Sequence, residues 1–161
     1  MSQEARTREP GEVARAVAAG VSRLALGGLT VQEREQQLDQ LAQLYGAVTD
    51  VRHPFDPLGD VPMRTRAELR EHFARVRLDG VERFEPVDGR VHVTADPEVV
   101  VFEFAYAVSA RGTDFTVPCV FVIRVRDGQI VESRDYAHHL AMARGLGQLD
   151  ALVSALTDTG L

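Results

Sequence analysis

Three ionisable side chains, His53, Glu103 and Asp135, lie at or within apolar, strand-like runs of the sequence, where a proton donor or acceptor would face a core. His53 precedes Pro54, which favours an extended conformation at the histidine. The unperturbed pKa of histidine also suits proton transfer near neutral pH. An apolar surrounding would raise the pKa of the Asp135 carboxyl and make it a usable acid or base. We therefore take these residues as candidates for acid–base chemistry.

Non-catalytic, structural roles also fit two of these residues. His53 also fits a histidine at the mouth of a pocket that only forms hydrogen bonds. Asp135 also fits a carboxylate that caps backbone amides at a strand end or pairs with an arginine, because structural ion pairs perturb pKa values too. Alternation places Asp135 on one strand face with Val131 and Ser133. If that face is concave, the carboxyl lies in a cavity.

Glu103 interrupts a long apolar run. Alternation groups it with Val101 and Ala105, whose small side chains would leave room for a ligand. A buried Glu103 carboxylate across the sheet from Asp135 would raise one of the two pKa values. Alternatively, Glu103 is an exposed strand residue that pairs with Arg124.

Further residues are expected to contact a substrate around these candidates. Tyr45 and Tyr136 would offer phenol hydrogens to a substrate carbonyl, or else are core residues with satisfied hydroxyls. Cys119 is predicted to be a buried, inert thiol. His72 and His92 show no pattern beyond that of surface or edge residues. The predicted substrate-binding residues are Tyr45, Phe55, Val101, Ala105, Cys119, Ser133 and Tyr136.

Metal and nucleotide chemistry find no support in the sequence. His138 and His139 are adjacent, so their side chains point in different directions, and no third ligand lies at a useful spacing. The chain contains no glycine-rich phosphate loop, no Gly-x-Ser-x-Gly elbow and no dinucleotide fingerprint. We expect no metal and no cofactor, which leaves proton transfer as the accessible reaction.

The composition narrows the class of protein. A chain of 161 residues, 45% of them apolar, is long enough to enclose one core and a pocket. Its net charge of −6 provides no basic surface for nucleic acid. No apolar stretch approaches the roughly 18 residues of a membrane span, and no signal-type segment precedes a cleavage site. Cys119 has no second cysteine to pair with in this chain, which fits a reducing cytoplasm.

Helical periodicity and capping signals predict three N-terminal helices. The first covers Gly11 to Leu26 and stops at two glycines, where a left-handed cap costs little. The second is expected to run to about Gly46 and so to include Tyr45 on its apolar face. Capping boxes that begin the second and third helices are Thr30 with Glu33 and Thr65 with Glu68.

Strand signals follow the helices. A short strand over residues 48–54 ends at a proline, and residues from about Val81 to Tyr136 are typical of strands joined by hairpins. A last helix with an apolar face covers about 149–156. These elements predict an α+β fold in which a curved antiparallel sheet bends around helices to form a cone with a lipophilic cavity. Turns are expected at Asp88-Gly89, Asp96-Pro97, Arg111-Gly112 and Asp127-Gly128.

The order of these elements resembles the nuclear transport factor 2-like superfamily, especially SnoaL-like cyclases and ketosteroid isomerase relatives. The likeness rests on residues 44–54, on the helix that begins at Thr65, and on residues 127–130 leading into Ser133-Arg134-Asp135-Tyr136. It implies one SnoaL-like domain over residues 1–161, with 1–29 as an extra N-terminal helix and 30–161 as the core cone. It also implies a homodimer.

Only some of the functional positions of the related families have a matching residue in this chain. His53 matches the position at which ketosteroid isomerases place their general-base aspartate. Asp135 matches the last-strand aspartate of limonene epoxide hydrolase relatives, but Glu103 and Ala105 stand where those proteins have an arginine and a second aspartate. The triad for that route to epoxide opening is therefore absent. The tyrosine and protonated acid of the isomerase oxyanion hole have no clear match.

We therefore expect a small, cofactor-independent enzyme that isomerises or cyclises a lipophilic molecule, such as a polyketide- or steroid-like compound, by acid–base chemistry. His53 would act near the mouth, Asp135 deeper in the cavity, and Glu103 as an orienting or second acid group. One alternative is a non-catalytic module that binds a small molecule or dimerises. Another is an epoxide-opening hydrolase or cyclase with a non-standard site. The apolar strip that a helix or a second protomer would have to cover is Phe102, Phe104, Tyr106 and Val108.

Overall fold

A computed structural model describes residues 7–158 of the chain. In this part of the chain five α-helices accompany one six-stranded sheet, which is curved and not closed into a barrel. The helices are α1 (Pro10–Leu26), α2 (Val31–Ala42), α3 (Arg66–Ala74), α4 (His139–Gly145) and α5 (Leu149–Asp158). The strands are β1 (Tyr45–Arg52), β2 (Met63–Thr65), β3 (Val81–Val93), β4 (Val99–Ala110), β5 (Thr113–Arg126) and β6 (Gln129–Ala137). The predicted α+β class is confirmed.

The N-terminal helices begin where their capping signals predict. Thr30 accepts a hydrogen bond from the backbone of Glu33 at 3.2 Å, and the Glu33 carboxylate accepts one from the backbone of Thr30 at 2.8 Å. The capping box at Thr65 is complete in the same way. The end predicted for the second helix is wrong, because Tyr45 belongs to β1 and α2 stops at Ala42. The carbonyl of Leu44 accepts from the Ile130 amide at 2.8 Å, so pairing with β6 replaces a further helical turn.

The sheet has the order β2-β1-β6-β5-β4-β3. Strands β3 to β6 form the predicted antiparallel meander, in which each strand pairs with the next along the chain. β1 lies beside β6 and runs parallel to it. The end of β1 and the end of β6 therefore reach the same edge of the sheet.

Two of the predicted turns are tight hairpins. Arg111 and Gly112 have φ values of 50° and 76°, and Asp127 and Gly128 have values of 50° and 74°, which suit the two central residues of a type I′ turn. The hairpin predicted at Asp88-Gly89 is wrong, because both residues lie inside β3. Asp88 has a φ of 55°, and the register with β4 shifts between Val87 and Arg90, so this segment is a bulge.

A second irregularity changes which residues of β6 face the core. Arg124 pairs with Glu132 whereas Val125 pairs with Ile130, so Val131 is an extra residue in β6. Ile130, which is completely buried, therefore lies on the interior face with Ser133 and Asp135. Simple alternation had predicted Val131 at that place, and the extra residue is the reason that it fails.

The apolar strip on β4 is covered within the chain. Phe102, Phe104 and Tyr106 are each at most 5% exposed, and α1 packs against β3, β4 and β5. The rings of Phe104 and Phe121 lie 5.0 Å apart in an edge-to-face arrangement, which fills the interior between β4 and β5. The strip thus needs no second protomer to bury it. Among residues 7–158, no helix is long and apolar enough to cross a membrane.

The cap at Thr65 should contribute measurably to stability, because it satisfies the Glu68 amide at 3.2 Å at the start of α3. We expect Thr65→Ala to lower the free energy of unfolding by about 1 kcal/mol. Thr65→Ser keeps the hydroxyl and should stay within about 0.5 kcal/mol of the parent. Urea unfolding followed by circular dichroism measures both variants. Equal losses in the two variants would contradict a role for the hydroxyl.

Candidate active site

The parallel pairing of β1 and β6 brings the two leading candidates together. Arg52 of β1 pairs with Arg134 of β6, so the residues that follow, His53 and Asp135, lie side by side. Paired residues of neighbouring strands project to the same face of a sheet. The distance from His53 Nε2 to Asp135 Oδ2 is 3.6 Å.

Asp135 is a buried carboxyl, with 7% of the residue exposed. Its Oδ1 atom accepts a short hydrogen bond from the Ser133 hydroxyl, two residues earlier on the same face. Burial raises the pKa of Asp135 from 3.8 to about 7, although the Ser133 hydrogen bond and the charge of Arg134 oppose the rise. Near neutral pH, a substantial fraction of this carboxyl is therefore protonated.

The pKa of His53 is shifted in the direction that keeps its imidazole neutral. Burial lowers its pKa, the charge of His139 lowers it further, and Asp56 and Asp60 act in the opposite direction. Its backbone amide donates to Asp60 Oδ1 at 3.0 Å, which fixes the start of the loop after β1. The lowered pKa of His53 favours its neutral imidazole and the raised pKa of Asp135 favours its protonated carboxyl, so both shifts act against an ion pair.

His72 is a member of this site that the sequence analysis did not identify. Its ring stacks on the ring of His53, with 5.1 Å between the centroids. Burial, followed by the charges of His53 and Arg75, lowers its pKa to about 4, so it is neutral at physiological pH. The available signal was helical spacing, because His72 lies three residues after the buried Leu69 on α3.

Two tyrosines and the cysteine lie close to the Asp135 carboxyl. Burial and the charge of Asp135 raise the pKa of Tyr45, and burial with the charges of Cys119 and Asp135 raises that of Tyr106. The same two causes, burial and Asp135, raise the pKa of Cys119 to about 12, as expected of an inert thiol. The Tyr106 hydroxyl is buried and has no hydrogen-bond partner within residues 7–158. Sequence periodicity had shown Tyr106 only as part of an apolar strip.

Glu103 does not join this group. It lies on the outer face of β4 with 55% of its side chain exposed, and its carboxylate is 3.1 Å from His92 Nε2. The expectation that it faces Asp135 is wrong, because the large aromatic residues of β4 occupy the interior face. The alternative pairing with Arg124 is also wrong, since that arginine contacts Asp96 at 2.8 Å. Val101 and Ala105, predicted to bind substrate, alternate with the buried residues and share the outer face with Glu103.

An apolar cavity of about 500 Å³ lies at the end of β6, but neither His53 nor Asp135 lines it. Val120 and Tyr136 in its lining are in register with Glu103 on the outer face of the sheet, opposite the Asp135 side chain. His53 and His72 line a different cavity, of about 440 Å³.

Two residues that line the apolar cavity interact with the pair, because the charge of Asp135 acts on Cys119 and the charge of His139 acts on His53. Phe55 is 68% exposed, and its ring packs edge-on against that of Tyr136 at 4.9 Å. The cavity is lined by Phe55, Pro57, Pro118, Cys119, Val120, Tyr136, Ala137, His138, His139 and Leu140.

His139 supplies a polar atom at the border of the cavity. Its Nε2 atom is buried and makes no hydrogen bond to the described residues. His138 is already occupied, because its Nδ1 atom accepts from the Ala141 amide at 3.1 Å and caps α4. Across residues 7–158, no three His, Cys, Asp or Glu side chains are arranged to hold a metal ion.

A curved, unclosed sheet packed against N-terminal helices is the fold shared with ketosteroid isomerase-like proteins. A model of the SnoaL-like domain family matches residues 31–133, and the chain belongs to that family. No curated protein matches the sequence.

Solved structures share this fold at low sequence identity. A candidate isomerase from Bacillus subtilis is 19% identical with a TM-score of 0.65, and the match covers 88% of this chain and 97% of that one. A Catenulispora acidiphila protein with a ketosteroid isomerase-like fold, solved with trimethylamine, is 20% identical with a TM-score of 0.60 over 84% and 92% of the two chains. A candidate polyketide cyclase from Xanthomonas campestris is 17% identical with a TM-score of 0.60 over 85% and 96%.

The raised pKa of Asp135 has a consequence for stability. The folded protein binds a proton at Asp135 up to a pH of about 7, whereas the unfolded chain releases it near 3.8. The contribution of this group to stability is therefore complete below about pH 4 and is lost progressively as the pH rises from about 4 to about 7. Asp135→Asn cannot ionise, so we expect its free energy of unfolding, measured relative to that of the parent, to be about 3 kcal/mol higher at pH 8 than at pH 5. Urea unfolding at both pH values measures this difference, with the exposed-site variant Glu103→Gln as control. A difference independent of pH would contradict the buried carboxyl.

The influence of His139 on His53 is testable without a substrate. Because the charge of His139 lowers the pKa of His53, we expect His139→Gln to raise it. Imidazole resonances followed by NMR during a pH titration give the midpoint directly. His92→Gln, on the outer face, should leave the His53 midpoint unchanged. A midpoint that falls in His139→Gln would contradict the proximity of the two rings.

Proposed function

We propose that this protein is a cofactor-independent enzyme that moves protons on a lipophilic small molecule, of polyketide or steroid type, and so isomerises or cyclises it. The observation that carries the proposal is the buried Asp135 carboxyl, with a pKa of about 7, placed 3.6 Å from a neutral His53. A carboxyl that is partly protonated near neutral pH, beside an imidazole whose lowered pKa favours the neutral form, is suited to bifunctional proton transfer.

The pair can perform an isomerisation with balanced proton transfers. Neutral His53 removes a proton from a carbon beside a carbonyl, and the Asp135 carboxyl delivers its own proton to the carbon at the far end of the resulting dienolate. A proton then passes from His53 Nε2 to Asp135 Oδ2 and restores both groups. The 3.6 Å separation is longer than a hydrogen bond, and catalytic hydrogen bonds commonly tighten when substrate binds.

The surroundings of the pair support an apolar substrate with few polar groups. The cavity at the end of β6, of about 500 Å³, is within the size range of small-molecule sites, and most of its lining is apolar, but only Cys119 and His139 of that lining interact with the pair. His139, which lines this cavity, has a buried Nε2 atom without a hydrogen-bond partner among the described residues, and a substrate oxygen would satisfy it. Family membership and the named structural relatives agree with this class of ligand.

Epoxide opening by the known triad receives no support from β4. Its interior positions are occupied by Phe102, Phe104 and Tyr106, so this strand offers no arginine or aspartate to the site. A non-catalytic binding module remains the main rival, since the same cavity would hold a ligand without turnover. The predicted homodimer and cytoplasmic location stay predictions.

A β,γ-unsaturated ketosteroid is a suitable first substrate, because conversion to its conjugated isomer is followed by ultraviolet absorbance. We expect Asp135→Asn and His53→Gln each to lower kcat/KM by about 100-fold or more, which is the usual contribution of a general acid or base. Steroid affinity, measured by equilibrium binding, should change by less than about threefold. Glu103→Gln is the matched control and should keep full activity. Binding without turnover in the parent protein would favour the binding module instead.

A further inference from the structure

Three arginines line another cavity, separate from the candidate active site. This cavity has a volume of about 360 Å³ and lies at the C-terminal end of α4. Arg77 comes from the segment between α3 and β3, Arg111 from the β4–β5 turn, and Arg144 from α4. Asp79 is the one acidic residue in the lining. Three cations from distant parts of the chain therefore meet around one concavity.

These arginines differ from most others on the surface. Arg70 contacts Glu35 at 2.6 Å and Asp39 at 2.7 Å, and Arg134 contacts Asp50 at 2.7 Å. Within residues 7–158, none of the three cavity arginines forms an ion pair or a side-chain hydrogen bond. In a chain with a net charge of −6, three guanidinium ions thus line one cavity with a single carboxylate, Asp79.

Close backbone contacts place two of these residues beside the cavity. The Arg111 amide donates to the Gly80 carbonyl at 3.2 Å, and Gly80 has a φ of 71°. A Cβ at Gly80 would lie 3.1 Å from Arg111 Nε, so the missing side chain lets Arg111 lie across this segment. Next to Arg144, a Cβ on Gly145 would overlap the ring of Phe115, so the end of α4 lies directly against β5.

A further cavity joins the arginines to the apolar cavity. It runs along α4 with a volume of about 690 Å³. It shares Thr113 and Arg144 with the arginine cavity, and His138 and Leu140 with the apolar cavity. Because α4 has seven residues, the two ends of this groove are about 10 Å apart. One end of the groove is apolar and the other is cationic.

We propose that Arg77, Arg111 and Arg144 bind a carboxylate or phosphate at the charged end of an amphiphilic ligand whose apolar body lies along α4 in the apolar cavity. Guanidinium groups bind both anions through paired, charge-assisted hydrogen bonds. The identity of the apolar cavity as the substrate site rests on the proposed function, whereas the anion site rests on the arginines alone. The ligand class becomes a lipophilic molecule whose anionic group lies about 10 Å from the start of its apolar body.

Decyl phosphate and decanol test this proposal, because they differ only in the charged group. Calorimetric titration should show that decyl phosphate binds at least tenfold more tightly than decanol at low salt. The combined variant Arg77→Gln, Arg111→Gln, Arg144→Gln should lose that preference. The combined variant Arg8→Gln, Arg23→Gln, Arg90→Gln has the same net charge, lies outside the groove and should keep it. Circular dichroism checks the fold of each variant, and the single variant Arg111→Gln should show an intermediate preference.

Several outcomes would overturn the proposal. Equal affinity for the two probes would exclude an anion site. Equal losses of the preference for decyl phosphate in both combined variants would show that it depends on net charge alone. Inorganic phosphate that binds as tightly as decyl phosphate would exclude the amphiphilic ligand. Asp135→Asn should retain decyl phosphate binding, so failure of the catalytic proposal and failure of the anion site give different results.

Discussion

The parallel pairing of β1 with β6 is the constraint on which the site depends. Strands β3 to β6 form a meander that local hairpins organise, but β1 is separated from β6 by more than seventy residues of chain. The register in which Arg52 meets Arg134 brings His53 next to Asp135. Any shift by one residue would turn one of these side chains to the opposite face, since side chains alternate along a strand. The chemistry and the topology therefore depend on the same set of backbone hydrogen bonds.

The ion pairs of the sheet lie on its outer face, whereas the candidate catalytic carboxyl lies on its interior face. On the outer face, Arg134 pairs with Asp50 at 2.7 Å and Arg124 with Glu98 at 3.0 Å, with side chains 26% to 38% exposed. Exposed pairs of this kind each contribute little to stability, so the apolar interior must supply most of it. The interior nevertheless contains Asp135, a carboxyl that costs stability when ionised. A group retained at such a cost is a candidate for function, which agrees with its place beside His53.

Signals confined to a few neighbouring residues predicted the fold well. The capping boxes at Thr30 and Thr65 and the turns at Arg111 and Asp127 lie where the sequence places them, because each depends on a local backbone requirement. Predictions failed where one residue interrupts the regular period. Because Val131 is an extra residue in β6, Ile130 occupies the interior position that alternation had predicted for Val131. At Asp88 the chain forms a bulge within β3 where a hairpin had been predicted. Such bulges are set by pairing with a neighbouring strand, which is not visible in the strand's own alternation.

The sequence by itself determined the α+β class, the family resemblance and the choice of His53 and Asp135, because residue type, strand periodicity and proline position are local properties. Only the tertiary structure decided which groups meet. It brought His72 and Tyr106 to the interior site, left Glu103 on the outer face, and gathered three arginines at the end of α4. The physical reason is that burial and distance between residues far apart in the chain come from strand register and helix packing, and these two quantities set the pKa of Asp135.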